Sequence, residues 1–201
     1  MKLKLKKRQV DLIVKIQNKN SQKMKIGIVI ASFSEPLNKV CFSKNYSYHR
    51  FDSLIQNLPF GAFKDCRLLK QIIIPSSVIE IESNAFYSCG SLTQISIPPS
   101  VTRIGNSAFV GCPLTEIIIP SSVKTIENCT FQFCSSLQQV ILPSTITQID
   151  YNAFSHCKSL TQITIPSSVI YIGRMAFYGC SSLTKITILS SVIKIGGGVF
   201  S

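Results

Sequence analysis

The sequence predicts a β-rich repeat solenoid, made of short strands with little regular helix. Three observations carry that expectation. An apolar unit recurs about every 23 residues through most of the 201-residue chain. Each unit holds an alternating β-branched run closed by a turn residue. No unit contains an apolar-periodic stretch long enough for an ordinary helix.

The clearest copy is LTQITIPSSVIYIGRMAFYGCSS, from Leu160 to Ser182. Its leading leucine recurs at Leu69, Leu92, Leu114, Leu137, Leu160 and Leu183, with steps of 23, 22, 23, 23 and 23. The short step arises at Cys112-Pro113-Leu114, where other copies have two residues between Cys and Leu. Proline follows the apolar run at Pro75, Pro98, Pro120, Pro143 and Pro166, and Leu189 replaces it in the last copy. Then come Val78, Val101, Val123, Ile146, Val169 and Val192, followed by Ile81, Ile104, Ile126, Ile149, Ile172 and Ile195. An aromatic closes each unit at Phe86, Phe109, Phe131, Phe154, Phe177 and Phe200.

Each piece has a structural meaning. In Ile-x-Ile-Pro, Ile163 and Ile165 face one side of a strand and Thr164 the other. Proline cannot donate to a ladder and ends it. The V-x-x-I segment is a second extended piece. The A-F-x-x-C segment is too short for a helix and suits a tight helical turn. One unit cannot bury its own apolar face, but stacked units can, giving aligned columns of Leu, Ile, Val and Phe. At ~4.8 Å per turn, six turns span roughly 30 Å.

This pattern resembles the BspA-like class of leucine-rich repeats, found in surface proteins of bacteria and protists. The resemblance covers about residues 60–201 and rests on six successive copies. It implies surface exposure or secretion, adhesion and protein recognition; a cytoplasmic location is the alternative. The domain reading has three parts. Residues 1–45 form a basic segment, poorly ordered or signal-like. Residues 46–68 are a degenerate N-terminal repeat or cap. Residues 69–201 are six leucine-rich repeats, the last incomplete. The break within that repeat suggests a fragment or a decayed copy.

Charge divides the chain in the same way. Residues 1–50 carry 12 Lys and Arg against Asp11 and Glu35, a net of +10. The remainder carries 9 against 7 acids, a net of +2. A uniformly basic nucleic-acid surface is therefore not expected. Membrane contact is expected only through the basic segment, including Lys2 to Arg8. No apolar run reaches the roughly 18–20 residues of a spanning helix. The run Ile26 to Phe33 resembles a short secretory leader if translation starts at Met24.

Cys66, Cys89, Cys112, Cys134, Cys157 and Cys180 occupy one position in every repeat. That fits a buried column of small apolar thiols. Zinc would need convergent ligands such as C-x-x-C, and none is present. Disulfides between adjacent turns fit the permitted Cα distances, but parallel Cβ vectors make them awkward. Cys41 and Cys129 fall outside the column and are expected to be the more exposed thiols. His156 stands where other copies carry Ser88, Gly111, Phe133 and Gly179, which suggests a tolerant surface position; His49 lies in the degenerate copy. No nucleophile, base and orienting group converge in the pattern, and no glycine-rich phosphate loop precedes a helix. No catalytic residue, metal ligand or cofactor is therefore expected.

The functional candidate is the strand face that points away from the core. One outward column is Gln71, Gln94, Glu116, Gln139, Gln162 and Lys185. The other is Ile73, Ser96, Ile118, Ile141, Thr164 and Thr187. Exposed isoleucines among glutamines suit a protein partner, although isoleucine also fills strands for its β-propensity alone. The expected function is a non-enzymatic protein-binding or adhesive module. The alternatives are a structural or decayed repeat protein, or the non-catalytic part of a larger enzyme.

Overall fold

The computed structural model describes residues 11–17, 25–31 and 56–201. Lys2 to Arg8, Cys41, His49 and residues 46–55 lie outside the described residues. Among those described, the strands in chain order are β1 (Asp11–Gln17), β2 (Lys25–Ala31), β3 (Asn57–Leu58), β4 (Glu80–Ile81), β5 (Arg103–Ile104), β6 (Glu116–Ile118), β7 (Thr125–Ile126), β8 (Gln139–Ile141), β9 (Gln148–Ile149), β10 (Gln162–Thr164), β11 (Tyr171–Ile172), β12 (Lys185–Thr187) and β13 (Lys194–Ile195). No helix occurs among the described residues.

β1 and β2 pair antiparallel, from Asp11 opposite Ala31 to Gln17 opposite Lys25. β2 covers most of the apolar stretch that begins at Ile26.

From residue 56 onward the chain winds as a parallel β-solenoid, and each coil has three sides. The first side carries β6, β8, β10 and β12, each following a leading leucine by two residues. Here β6 pairs with β8, β10 pairs with β12, and a single bridge joins Ile73 to Ser96. The second side carries the V-x-x-I segments, paired as β3-β4-β5 and as β7-β9-β11-β13. Partners fall on equivalent repeat positions, as in Tyr171 opposite Gln148 and Ile172 opposite Ile149. That register brings like residues together and builds the columns.

The third side is a ridge of turns made by the A-F-x-x-C segment, and it corrects one expectation. The segment is not a helical turn. The amides of Ala85, Tyr87 and Cys89 bond three residues back, to Glu82, Asn84 and Phe86. The intervening amides of Asn84, Phe86 and Ser88 donate instead to Asn106, Ala108 and Val110 of the next coil. In a helix, amides past the first turn all bond four residues back, with no alternate amide turned outward. Alternation leaves half of them free to stitch coils together. The geometry needs left-handed backbone at two positions per coil, as at Asn84 (φ 58°) and Ser88 (φ 57°). Both sit third in their turns, where a type II turn places positive φ. Asn and Gly tolerate that conformation at little cost. Phe133, His156 and Met175 adopt it despite their bulk.

The interior follows from the pattern. Phe86, Phe109, Phe131, Phe154 and Phe177 are buried and stacked, with centroids 5.2, 5.5, 5.4 and 5.4 Å apart and ring planes within 8°. Phe63 extends the stack by 5.2 Å at one end and Phe200 by 5.9 Å at the other. The leading leucines from Leu69 to Leu160 and the V-x-x-I residues from Val78 to Ile172 are buried with them. Full burial of each such side chain contributes about 1.5–3 kcal/mol. In the last coil, Leu183, Ile186 and Val192 are only half-buried, and Ile195 and Phe200 are exposed.

Candidate functional site

The first side presents the outward columns. On β6, β8 and β10 the central residues Ile117, Val140 and Ile163 point inward, so their neighbours point out. All twelve candidate residues are exposed: Gln71, Gln94, Glu116, Gln139, Gln162 and Lys185, and Ile73, Ser96, Ile118, Ile141, Thr164 and Thr187. Strand pairing brings several side by side. Glu116 lies opposite Gln139, Ile118 opposite Ile141, Gln162 opposite Lys185 and Thr164 opposite Thr187. The exposed isoleucines are substantial, at 62% for Ile73, 59% for Ile118 and 46% for Ile141. Adjacent Ile118 and Ile141 form an apolar patch bordered by amides and Glu116.

The sequence pattern also held a second outward face. On the second side, Ile79, Ile170 and Ile193 are exposed large apolar residues. Arg103 there binds Glu80 and Glu127, and Lys194 lies over the Tyr171 ring at 5.6 Å. Alternation within V-x-x-I could have revealed these positions.

The cysteine column is mostly a ladder of buried thiols. Cys89, Cys112, Cys134, Cys157 and Cys180 each donate to a phenylalanine carbonyl of the preceding coil, at 3.0–3.2 Å. Burial pushes the Cys134 and Cys157 thiols up, and pushes Cys180 up to about 11. A hydrogen bond with Cys112, followed by burial, raises Cys89. These thiols are poor nucleophiles, because the thiolate is the reactive species. One expectation changes: Cys66 is disulfide-bonded and so stands apart from the thiol ladder. Cys129 is half-buried, more exposed than Cys89, Cys112, Cys134 and Cys157 as expected, with its thiol raised by burial.

His156 is likewise not on a freely tolerant surface. Its ring stacks on Phe133 at 4.8 Å, meets Tyr178 edge-on at 5.3 Å and sits over the backbone of Gly179. Its position requires left-handed φ in every coil from Asp65 to Gly179. The variety of residues there reflects a backbone demand met at different cost. A cavity of about 450 Å³ opens at the last coil, lined by Phe177, Leu183, Ile186 and Phe200, with Cys180 its one thiol. No acid or base lines it. Among the described residues no group of three His, Cys, Asp or Glu could hold a metal.

This architecture can be set beside known proteins. Six copies of the BspA type leucine rich repeat region match residues 35–113 and 102–201. The chain belongs to the BspA-type leucine-rich repeat family. The first matched block starts at residue 35, within the segment read from sequence as basic and either poorly ordered or signal-like. Among solved structures, the solenoid is similar to a leucine rich cell surface protein from Faecalibacterium prausnitzii, at 29% identity and a TM-score of 0.67. That likeness covers 87% of this chain and 46% of the other. A leucine-rich repeat protein from Eubacterium ventriosum is 28% identical with a TM-score of 0.57, over 74% of this chain and 46% of the other. One from Bacteroides ovatus shares the fold at 23% identity and a TM-score of 0.64, over 98% of this chain and 68% of the other. The chain thus spans about half the length of the first two. No curated protein matches it. Among the described residues no helix is long and apolar enough to cross a membrane.

Proposed function

We propose that this BspA-type solenoid is a non-enzymatic module that binds a protein partner at a cell surface, through the outward face of its first side. The observation that carries the reading is the exposed Ile118–Ile141 pair, set in register beside Glu116 and Gln139. Exposed apolar area rimmed by polar groups gains free energy when a partner covers it. A parallel stack fixes these side chains before binding, so little conformational entropy is lost on contact. The F. prausnitzii relative is described as a cell surface protein, which supports the location.

The test is a double substitution, Ile118→Lys with Ile141→Lys. It is expected to leave the circular dichroism spectrum and the cooperative melt intact. It is also expected to abolish retention of proteins that the unaltered solenoid captures from a solubilised cell-surface extract. Equal retention of the same proteins by the folded variant would sink the assignment of this face.

A further inference from the structure

We infer that the solenoid contains a built-in hinge between the Leu92 coil and the Leu114 coil. The junction differs from every other one described, and three kinds of bond show how.

Two rows of amide bonds cross the second side at each regular junction. In one row, Ile79 donates to Gln56, Thr102 to Ile79, Thr147 to Lys124, Ile170 to Thr147 and Ile193 to Ile170. In the other, Glu82 donates to Leu58, Gly105 to Ile81, Asp150 to Ile126, Gly173 to Ile149 and Gly196 to Ile172. The equivalent donors at this junction are Lys124 and Glu127, and neither makes the bond. β5 and β7 are accordingly unpaired, and the second sheet splits there. On the first side no ladder joins the Ser96 strand to β6; one backbone bond crosses, from the amide of Thr115 to Thr93 at 3.1 Å. At the corner leading to the second side the Ser122 hydroxyl donates to the Pro99 and Val101 carbonyls, as Ser100 and Ser168 do to the coil before at regular junctions. Among the described coils this is the one junction where neither sheet is paired.

The ridge, by contrast, is unbroken. Ser107, Phe109 and Gly111 donate across the same junction to Asn128, Thr130 and Gln132, each at 2.9 Å. Phe109 stacks on Phe131, and the Cys134 thiol bonds the Phe109 carbonyl. Both sheets are thus unpaired while the third side keeps its full set of backbone bonds, which is the arrangement of a hinge whose axis crosses the ridge in the plane of the coil.

The cause is in the sequence. The repeat is one residue short at Cys112-Pro113-Leu114. A 22-residue coil cannot follow the same path as its 23-residue neighbours, and the sheets take up the mismatch. Arg103, at the edge of β5, spans the gap. Its guanidinium binds both carboxylate oxygens of Glu127, at 2.7 and 3.2 Å, and also Glu80 on its own side. The Arg103 side chain is 46% exposed against 19% for Glu127, so salt screens this latch although it is bidentate. A hinge here lets the Gln71–Ser96 part of the outward face tilt against the Glu116–Thr187 part.

Amide hydrogen exchange on the 201-residue protein tests this. Thr115 is the decisive reporter, because its bond is present and motion alone can expose it. Its amide is expected to exchange at least about tenfold faster than Gln138 and Thr184, which make the equivalent bond at regular junctions. Ser107, Phe109 and Gly111 should stay as protected as Phe131 and Phe154. Higher salt should speed Thr115 further, and Arg103→Gln should remove that salt dependence while leaving the ridge protected. Inserting one serine after Pro113 should slow Thr115 to the rate of Gln138. A Thr115 amide as slow as Gln138 in the unaltered protein would overturn the hinge, and so would fast exchange on the ridge.

Discussion

The ridge and the sheets are built from the same repeat, yet they hold the coils together differently. On the ridge, every described junction carries the same alternating amide bonds and the same phenylalanine stack, and all but the last carry nearly the same thiol bond. The sheets are shorter and patchy, with strands of two or three residues and ladders interrupted on both sides. The difference teaches where integrity resides. The ridge carries the stack, and this frees the outward sheet positions to vary in chemistry without loss of fold.

Three substitutions would break or sharpen that contrast. The largest effect is expected at the ridge. Phe131→Ala removes a ring stacked on both sides and leaves a cavity in a continuous column. It should lower unfolding free energy by about 3–5 kcal/mol, read by denaturant titration. A loss below about 1 kcal/mol would show that the ridge is not the principal tie.

A middle-sized effect is expected where the second side meets the ridge. A Cβ on Gly173 would come within 2.6 Å of the carbonyl carbon of Asp150 and the amide nitrogen of Tyr151. Backbone cannot move aside as a flexible side chain can. Gly173→Ala should therefore cost about 1–3 kcal/mol by overpacking, measured as a fall in the thermal midpoint. An unchanged melt would mean that neighbouring coils separate more easily than the ridge bonds imply.

The smallest effect belongs to the outward face. Ile141→Ser removes an apolar side chain that already meets water, and stability should stay within about 0.5 kcal/mol. A loss comparable to that at Phe131 would assign the outward isoleucines to folding and weaken the binding proposal.

Much of the solenoid was legible in the residues alone. The columns of Leu, Ile, Val and Phe, and the twelve outward positions, follow from period and alternation, because a parallel stack puts equivalent residues in contact. The one-residue deletion at Pro113 was visible as a short step. Its consequence was not, since bonds missing at Lys124 and Glu127 lie a sheet away from the missing residue. The His156 position was misread for a related reason: a requirement for left-handed φ leaves little mark on composition when bulky residues also meet it.

The periodic spacing of apolar residues therefore determined the coil, its interior and its outward face, because burial of like against like depends on order along the chain. Tertiary structure decided how the ridge divides its amides between turn and neighbour, which thiols are sequestered, and where the stack loosens. Those outcomes depend on distances between residues some 22 or 23 positions apart, and such distances exist only once the coils have stacked.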